Sequence, residues 1–427
     1  MNIHTLTNRR INWFTKPWVM GSSLYIILAP LSVFLPSISI GINVNPIQIL
    51  MVMLFCILVL RIFLVEKRVF MKKSVVVCIL CASLLAFSVL FHAEEITFEY
   101  LRLIFNFFAF FVLLLFFLIE KNIPPFYYWV KVISISAVIA LTFSLGTYLG
   151  YISSPSYRIN IENLFYEGRR TASVVDSAIG LWLCVVAAYV VPGSPLRSLI
   201  LQFFLLSVST LLILLGGFTM MLICEAILLL AILMFDRLQS SHSRIVFYAF
   251  TFLFILLAIS STATFLAEIP GIERLSIRFQ QINDENKSLF FRSLERQQEI
   301  EIIKNAPLFG EGWDLLKKYS IGSNDIGYLP LYGHCIYTAL PARIGLLISL
   351  VLFASILNVM LRGSKVVLRK NICRETNEIF VSLLGIFVFL VASFTQNLAM
   401  TSMSFPVISI FIAYIMRNSH LLSPNNM

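Results

Sequence analysis

The chain has 427 residues, of which 59% are hydrophobic and 13% charged, with a formal net charge of +10. Soluble globular chains carry roughly 45–50% apolar and about 25% charged residues, so this composition excludes a water-facing globular protein. The positive charge does not point to nucleic acid, because the basic residues fall between apolar runs on alternate sides, as the positive-inside rule requires of a membrane protein.

Twelve apolar runs read as membrane-spanning helices, at about 18–40, 44–64, 74–91, 103–120, 128–150, 173–192, 197–215, 218–235, 245–267, 336–361, 377–395 and 404–416. Arg9, Arg10 and Lys16 lead directly into the first run, without the pattern of a cleavable signal peptide. Lys67, Arg68, Lys72 and Lys73 mark one cytoplasmic connector. Arg362, Lys365, Arg369, Lys370 and Arg374 mark another, and Arg197, Arg237, Arg244 and Arg417 fall on the same side. An even number of spans then places both termini in the cytoplasm. The expected fold is one all-α polytopic bundle over residues 1–427.

Two connectors on the outer side are too long to be turns, at 151–172 and 268–335, and long loops often carry function. The second contains a predicted helix at 287–304, stopped by Pro307 and by Gly310-Glu311-Gly312. The seven cysteines lie mostly within predicted spans and have neither metal-ligand nor disulfide-framework spacing. No nucleotide loop, acidic metal motif or nucleophile elbow is present, so no cofactor or metal is expected.

Three constellations can carry chemistry. Arg169-Arg170 precede the sixth span, and ten residues separate Arg169 from Gly180. On a helix that offset is almost three turns, about 16 Å, and puts both on one face. Paired arginines suit a diphosphate through bidentate, charge-assisted bonds, and a glycine admits close packing. The competing reading is an interfacial anchor pair above a packing glycine. His334 stands at the same offset from Gly345, before the tenth span. It is a candidate general base, or else a surface histidine at a helix start. Arg292 and Arg296 share a face of the loop helix, where Glu295 and Glu299 can also neutralise them. Mid-span Glu225 reads as an interhelical hydrogen-bonding group.

With these residues on the page, the chain resembles the Wzy-type O-antigen polymerases of the O-antigen ligase and polymerase superfamily. The resemblance rests on Arg169-x10-Gly180, on His334-x10-Gly345, and on Arg292 followed by Asn305-Ala306-Pro307-Leu308-Phe309-Gly310-Glu311-Gly312. It extends to the span order and both outer loops. The chain departs from the family pattern at Cys335, where Asn is frequent, and at Arg343, where an acid is frequent. A third departure is Gly216-Gly217-Phe218-Thr219, where Ser-Arg-Gly is frequent.

The resemblance implies a GT-C-like membrane glycosyltransferase of the bacterial inner membrane with a periplasmic site and no metal or nucleotide sugar. A glycan would move from undecaprenyl diphosphate onto an incoming lipid-linked repeat unit. Arg169, Arg170 and Arg292 would hold diphosphate, with Arg296 beside them, and His334 would act on the acceptor hydroxyl. Gly180 and Gly345 would be structural. The remaining spans would form a groove for prenyl chains that opens to lipid, and a chain-length regulator is a candidate partner by resemblance alone. The rival readings are an O-antigen ligase, which shares the donor, and a lipid-linked glycan flippase.

Overall fold

The structure is a computed structural model. It describes residues 16–33, 38–39, 43–44, 53, 56, 73–91, 110–120, 123–149, 151–152, 174–189, 195–216, 219–234, 241–260, 287–312, 316–321, 324–330, 335–369, 373–394 and 404–421. Most of the second expected span, the loop at 151–172 beyond its first two positions, Arg169, Arg170 and His334 lie outside the described residues.

The chain is predominantly α-helical, as the apolar runs require. The first helices are α1 (Pro17–Leu28), α2 (Lys73–Phe91), α3 (Phe110–Ile119) and α4 (Phe126–Tyr148). A short hairpin, β1 (Ile38–Ser39) with β2 (Asn43–Val44), lies between α1 and α2 in the chain. Then come α5 (Val174–Ala187), α6 (Pro195–Gly216), α7 (Thr219–Met234) and α8 (Ser241–Ser260).

The loop helix is α9 (Lys287–Asn305), within one residue of its expected end. An antiparallel hairpin that periodicity did not reveal follows it, β3 (Leu316–Ile321) with β4 (Asn324–Pro330). The chain closes with α10 (Ile336–Ile344), α11 (Leu346–Arg369), α12 (Arg374–Ala392) and α13 (Ser404–Leu421). Among the described residues α4, α6, α11 and α12 are long and apolar enough to cross a membrane, and shorter apolar helices accompany them.

Helix α5 lies at the centre because from Ala178 onward it is apolar on every side. Residues Ala178 to Cys184 are fully buried, and α4, α6, α7 and α12 surround them. Gly180 permits this. A Cβ there would lie 3.0 Å from the Ser209 carbonyl oxygen and 3.2 Å from Leu212 Cβ on α6. Its role is the structural one expected, a close helix–helix approach.

The Ser209 hydroxyl hydrogen-bonds the Gly180 carbonyl (2.7 Å) and the Glu225 carboxyl (2.9 Å), which also accepts from Thr210 (3.0 Å). Glu225 is therefore an interhelical polar tie, joining α6 to α7 as expected. A bare carboxyl in hydrocarbon would be costly, and two hydroxyl donors offset that cost.

An aromatic layer closes the bundle. Phe411 of α13 meets Trp182 at 5.9 Å and Phe126 at 6.2 Å, and Phe126 meets Tyr414 edge-on at 5.0 Å. By contrast α11 turns Leu347, Leu350, Leu357, Leu361 and Leu368 outward, the stripe of a peripheral helix facing lipid. Lipid is as apolar as these leucines, so packing rather than water expulsion holds the bundle. Phe411→Ala therefore leaves a cavity and should cost roughly 3–5 kcal/mol. Thermal unfolding of the purified chain in detergent checks this; an unchanged midpoint would remove Phe411 from the core.

Candidate functional site

The expected span at 336–361 is not one helix. Pro341 and Gly345 divide it into α10 and α11. Gly345 has φ +88° and ψ 156°, a conformation open essentially to glycine alone. There the chain doubles back, so that the Tyr337 ring of α10 packs tilted against Phe353 of α11 with centroids 5.4 Å apart. Pro341 is tolerated because α10 is only nine residues long and proline disrupts long helical interiors more than first turns and short ones.

The turn after α9 docks on this break through its backbone. Glu311 N–H donates to the Ala342 carbonyl (2.9 Å), Gly312 N–H to Arg343 (3.1 Å), and Leu346 N–H to Pro307 (2.7 Å). Both sides need glycine. A Cβ on Gly310, at φ +70°, would meet the Arg343 carbonyl at 2.5 Å, and one on Gly345 would fall on the Leu308 carbonyl. The Pro307-to-Gly312 motif and the glycine of the histidine motif are thus two halves of one clamp.

The clamp lays α9 parallel to α10. Residues 307–312 meet 342–346, Glu299 meets Thr338, and Arg296 reaches the segment that meets the start of α10. Arg296 donates to the Phe394 carbonyl (3.2 Å), with its guanidinium 5.1 Å from the Phe394 ring centroid. Ile336 N–H donates to the neighbouring Ser393 carbonyl (3.0 Å), and the Tyr337 hydroxyl to Leu390 (2.8 Å). Of the expected site residues, Arg296 is thereby tied to the start of α10. Arg292 lies on α9, one turn before Arg296. His334 immediately precedes Cys335, the first residue described before α10.

Charged residues lie between the two helices, a placement that residue order alone does not show. Glu295, Glu299 and Arg343 are at most 5% exposed. Glu299 accepts a 2.5 Å hydrogen bond from the Thr338 hydroxyl. Burial pushes the Glu299 carboxyl up to about 7, against the Thr338 bond and the Arg343 and Arg296 charges, while Glu295 adds to the rise. Glu295 and Glu299, placed by the sequence where they can neutralise Arg292 and Arg296 along α9, are in addition buried, and the Arg296 charge does act on Glu299. Both acids turn inward toward α10, because Ile302 continues the same stripe into the core at 2% exposure.

No protein-family model matches the chain, and no curated protein matches it.

An apolar groove of about 170 Å³ adjoins the clamp. Ile336 and Leu340 of α10 border it, with Cys78 of α2, Phe111 of α3, Phe389 of α12 and Ile412 of α13 among its walls. Asn358 and Arg362 of α11 supply its polar edge, where Arg362 Nε donates to Asn358 Oδ1 (3.3 Å). Among the described residues no cluster of His, Cys, Asp or Glu could hold a metal ion. The arrangement offers guanidinium charge, a buried carboxyl with a hydroxyl in front of it, and an adjoining space suited to hydrocarbon.

Gly345→Ala tests the clamp. It combines a forbidden backbone region with a clash and should cost more than about 2 kcal/mol. Limited proteolysis should then cut the 306–335 segment faster in the purified variant. Wild-type resistance would show that the clamp does not hold α9.

Proposed function

We propose that this chain polymerises lipid-linked oligosaccharide repeat units, moving a growing glycan from a polyprenyl diphosphate onto the next lipid-linked unit. The observation that carries this reading is the clamp between Gly310 and Gly345. It aligns the helix bearing Arg292 and Arg296 with the helix entered from His334. A transfer of this kind needs cations where charge develops on the departing diphosphate. It also needs a group that orients or deprotonates the attacking hydroxyl. Arg292, Arg169 and Arg170 take the first role with Arg296 beside them, and His334 takes the second. The apolar groove beside α10 takes part of a prenyl chain, open to the bilayer.

The wider layout belongs to the same proposal: twelve spans in a GT-C-like bundle of the bacterial inner membrane. Both termini face the cytoplasm, and the site lies on the periplasmic side. A flippase would need charged residues along the inward-facing spans, and the sequence places few charges inside the predicted spans. A ligase shares the donor chemistry and differs in the acceptor, so the test must separate the two.

Deleting the gene should leave surface lipid capped with single repeat units. A ligase deletion would leave none, and an undisturbed ladder of chain lengths would sink both readings. Restoring the wild-type chain should restore the ladder, whereas Arg292→Ala and His334→Ala should lower chain growth about 100-fold or more. Normal ladders with both variants would refute the site assignment.

A further inference from the structure

Beyond the arginines and the histidine, the interface between α9 and α10 holds a hydroxyl–carboxylate pair with no part in the transfer as written above. The Thr338 hydroxyl donates to Glu299 Oε2 at 2.5 Å and also lies 3.4 Å from the Cys335 carbonyl oxygen. Thr338 is half-buried and keeps some accessible surface, whereas Glu299 behind it is 1% exposed. Glu299 sits one turn from Arg296 along α9, and Thr338 follows His334 by four residues in the sequence. Glu295 and Arg296 face the carboxyl from its own helix, and Arg343 faces it from α10.

We propose that Thr338 and Glu299 form the proton exit of the glycosyl transfer, Thr338 meeting the acceptor hydroxyl and Glu299 taking the proton through it. The proposal rests on the reading of the chain as a glycan polymerase. The acceptor oxygen bonds to the anomeric carbon as the bond from that carbon to the diphosphate oxygen breaks. The diphosphate leaves with the electron pair. The acceptor's proton passes to Thr338 Oγ1 while the threonine's own proton passes to Glu299 Oε2. Thr338 ends unchanged, Glu299 ends neutral, and His334 is left to orient the hydroxyl.

Two features favour this route. A carboxylate receiving a proton in a buried place loses a charge that burial made costly. A group that burial holds at about 7 is ionised for a large fraction of the time at neutral pH yet basic enough to accept. Arg343 and Arg296 keep the ionised form accessible, and Glu295 opposes them. The separation of roles also explains why the carboxyl lies behind a hydroxyl. A threonine on the accessible side can meet a sugar, and a bare carboxylate there would compete with the diphosphate for the arginines.

The test uses the full-length chain in detergent with lipid-linked repeat units extracted from cells lacking the gene. Thr338→Val removes the relay without changing charge or shape, and Glu299→Gln keeps a hydrogen-bond acceptor without a base. Each should lower kcat about 100-fold with KM little changed, and Thr338→Ser should recover most of the rate. The wild-type rate should rise with pH through about 7, because Glu299 must be ionised to take the proton, and the residual rate of Glu299→Gln should lack that rise. A wild-type rate in Thr338→Val would overturn the relay, as would an unchanged acid limb in Glu299→Gln. Either result leaves the polymerase reading standing. If the wild-type chain itself extends no glycan from these units, both readings fall together.

Discussion

Everything at the candidate site depends on backbone meeting backbone at two glycines. Helix α9 is too polar to be held by apolar burial alone, and α10 is too short to be stable by itself. What joins them is a set of main-chain hydrogen bonds between the Pro307-to-Gly312 turn and the break between α10 and α11. These bonds form only where the two chains approach without side chains between them. Gly310 and Gly345 therefore act less as flexible points than as a shaped contact surface. The same break that ends α10 frees the Leu346 N–H to bond Pro307 instead of a carbonyl four residues back. One discontinuity thus ends a helix and docks another.

The charge distribution follows from that docking. Two acids and an arginine are drawn between α9 and α10, where each would be expensive if left alone. Together they offset one another, and Thr338 satisfies part of what remains. Arg296 is directed differently, onto the ring and carbonyl of Phe394 at the end of α12. That contact ties the loop helix to a helix long and apolar enough to cross a membrane. The polar site is consequently fixed to the bundle through α11 at the clamp, through α12 at Arg296 and through α2, where Phe87 meets Phe309.

The bundle has its own logic. Central α5 packs through Gly180 against α6, and the polar knot of Ser209, Thr210 and Glu225 ties α6 to α7. Peripheral α11 exposes leucines and lines the apolar groove on its other side.

Helical class, membrane character and the loop helix were legible from residue order alone. They depend on local periodicity and on long apolar runs, which bind neighbours in sequence. The interhelical role of Glu225 and the packing role of Gly180 were legible for a similar reason, since hydrocarbon leaves a lone carboxyl or a mid-helix glycine few alternatives. The break at Gly345 was not, because an apolar run reads as continuous across a glycine until a partner chain occupies the space beside it. The inward turn of Glu295 and Glu299 also escaped, although Ile302 stands on the same helical stripe and marked the buried face. Sequence spacing determined which residues share a face; only the tertiary structure decided which face turns inward. That choice is settled by contacts between segments tens of residues apart, here by two glycines that let one backbone bond another.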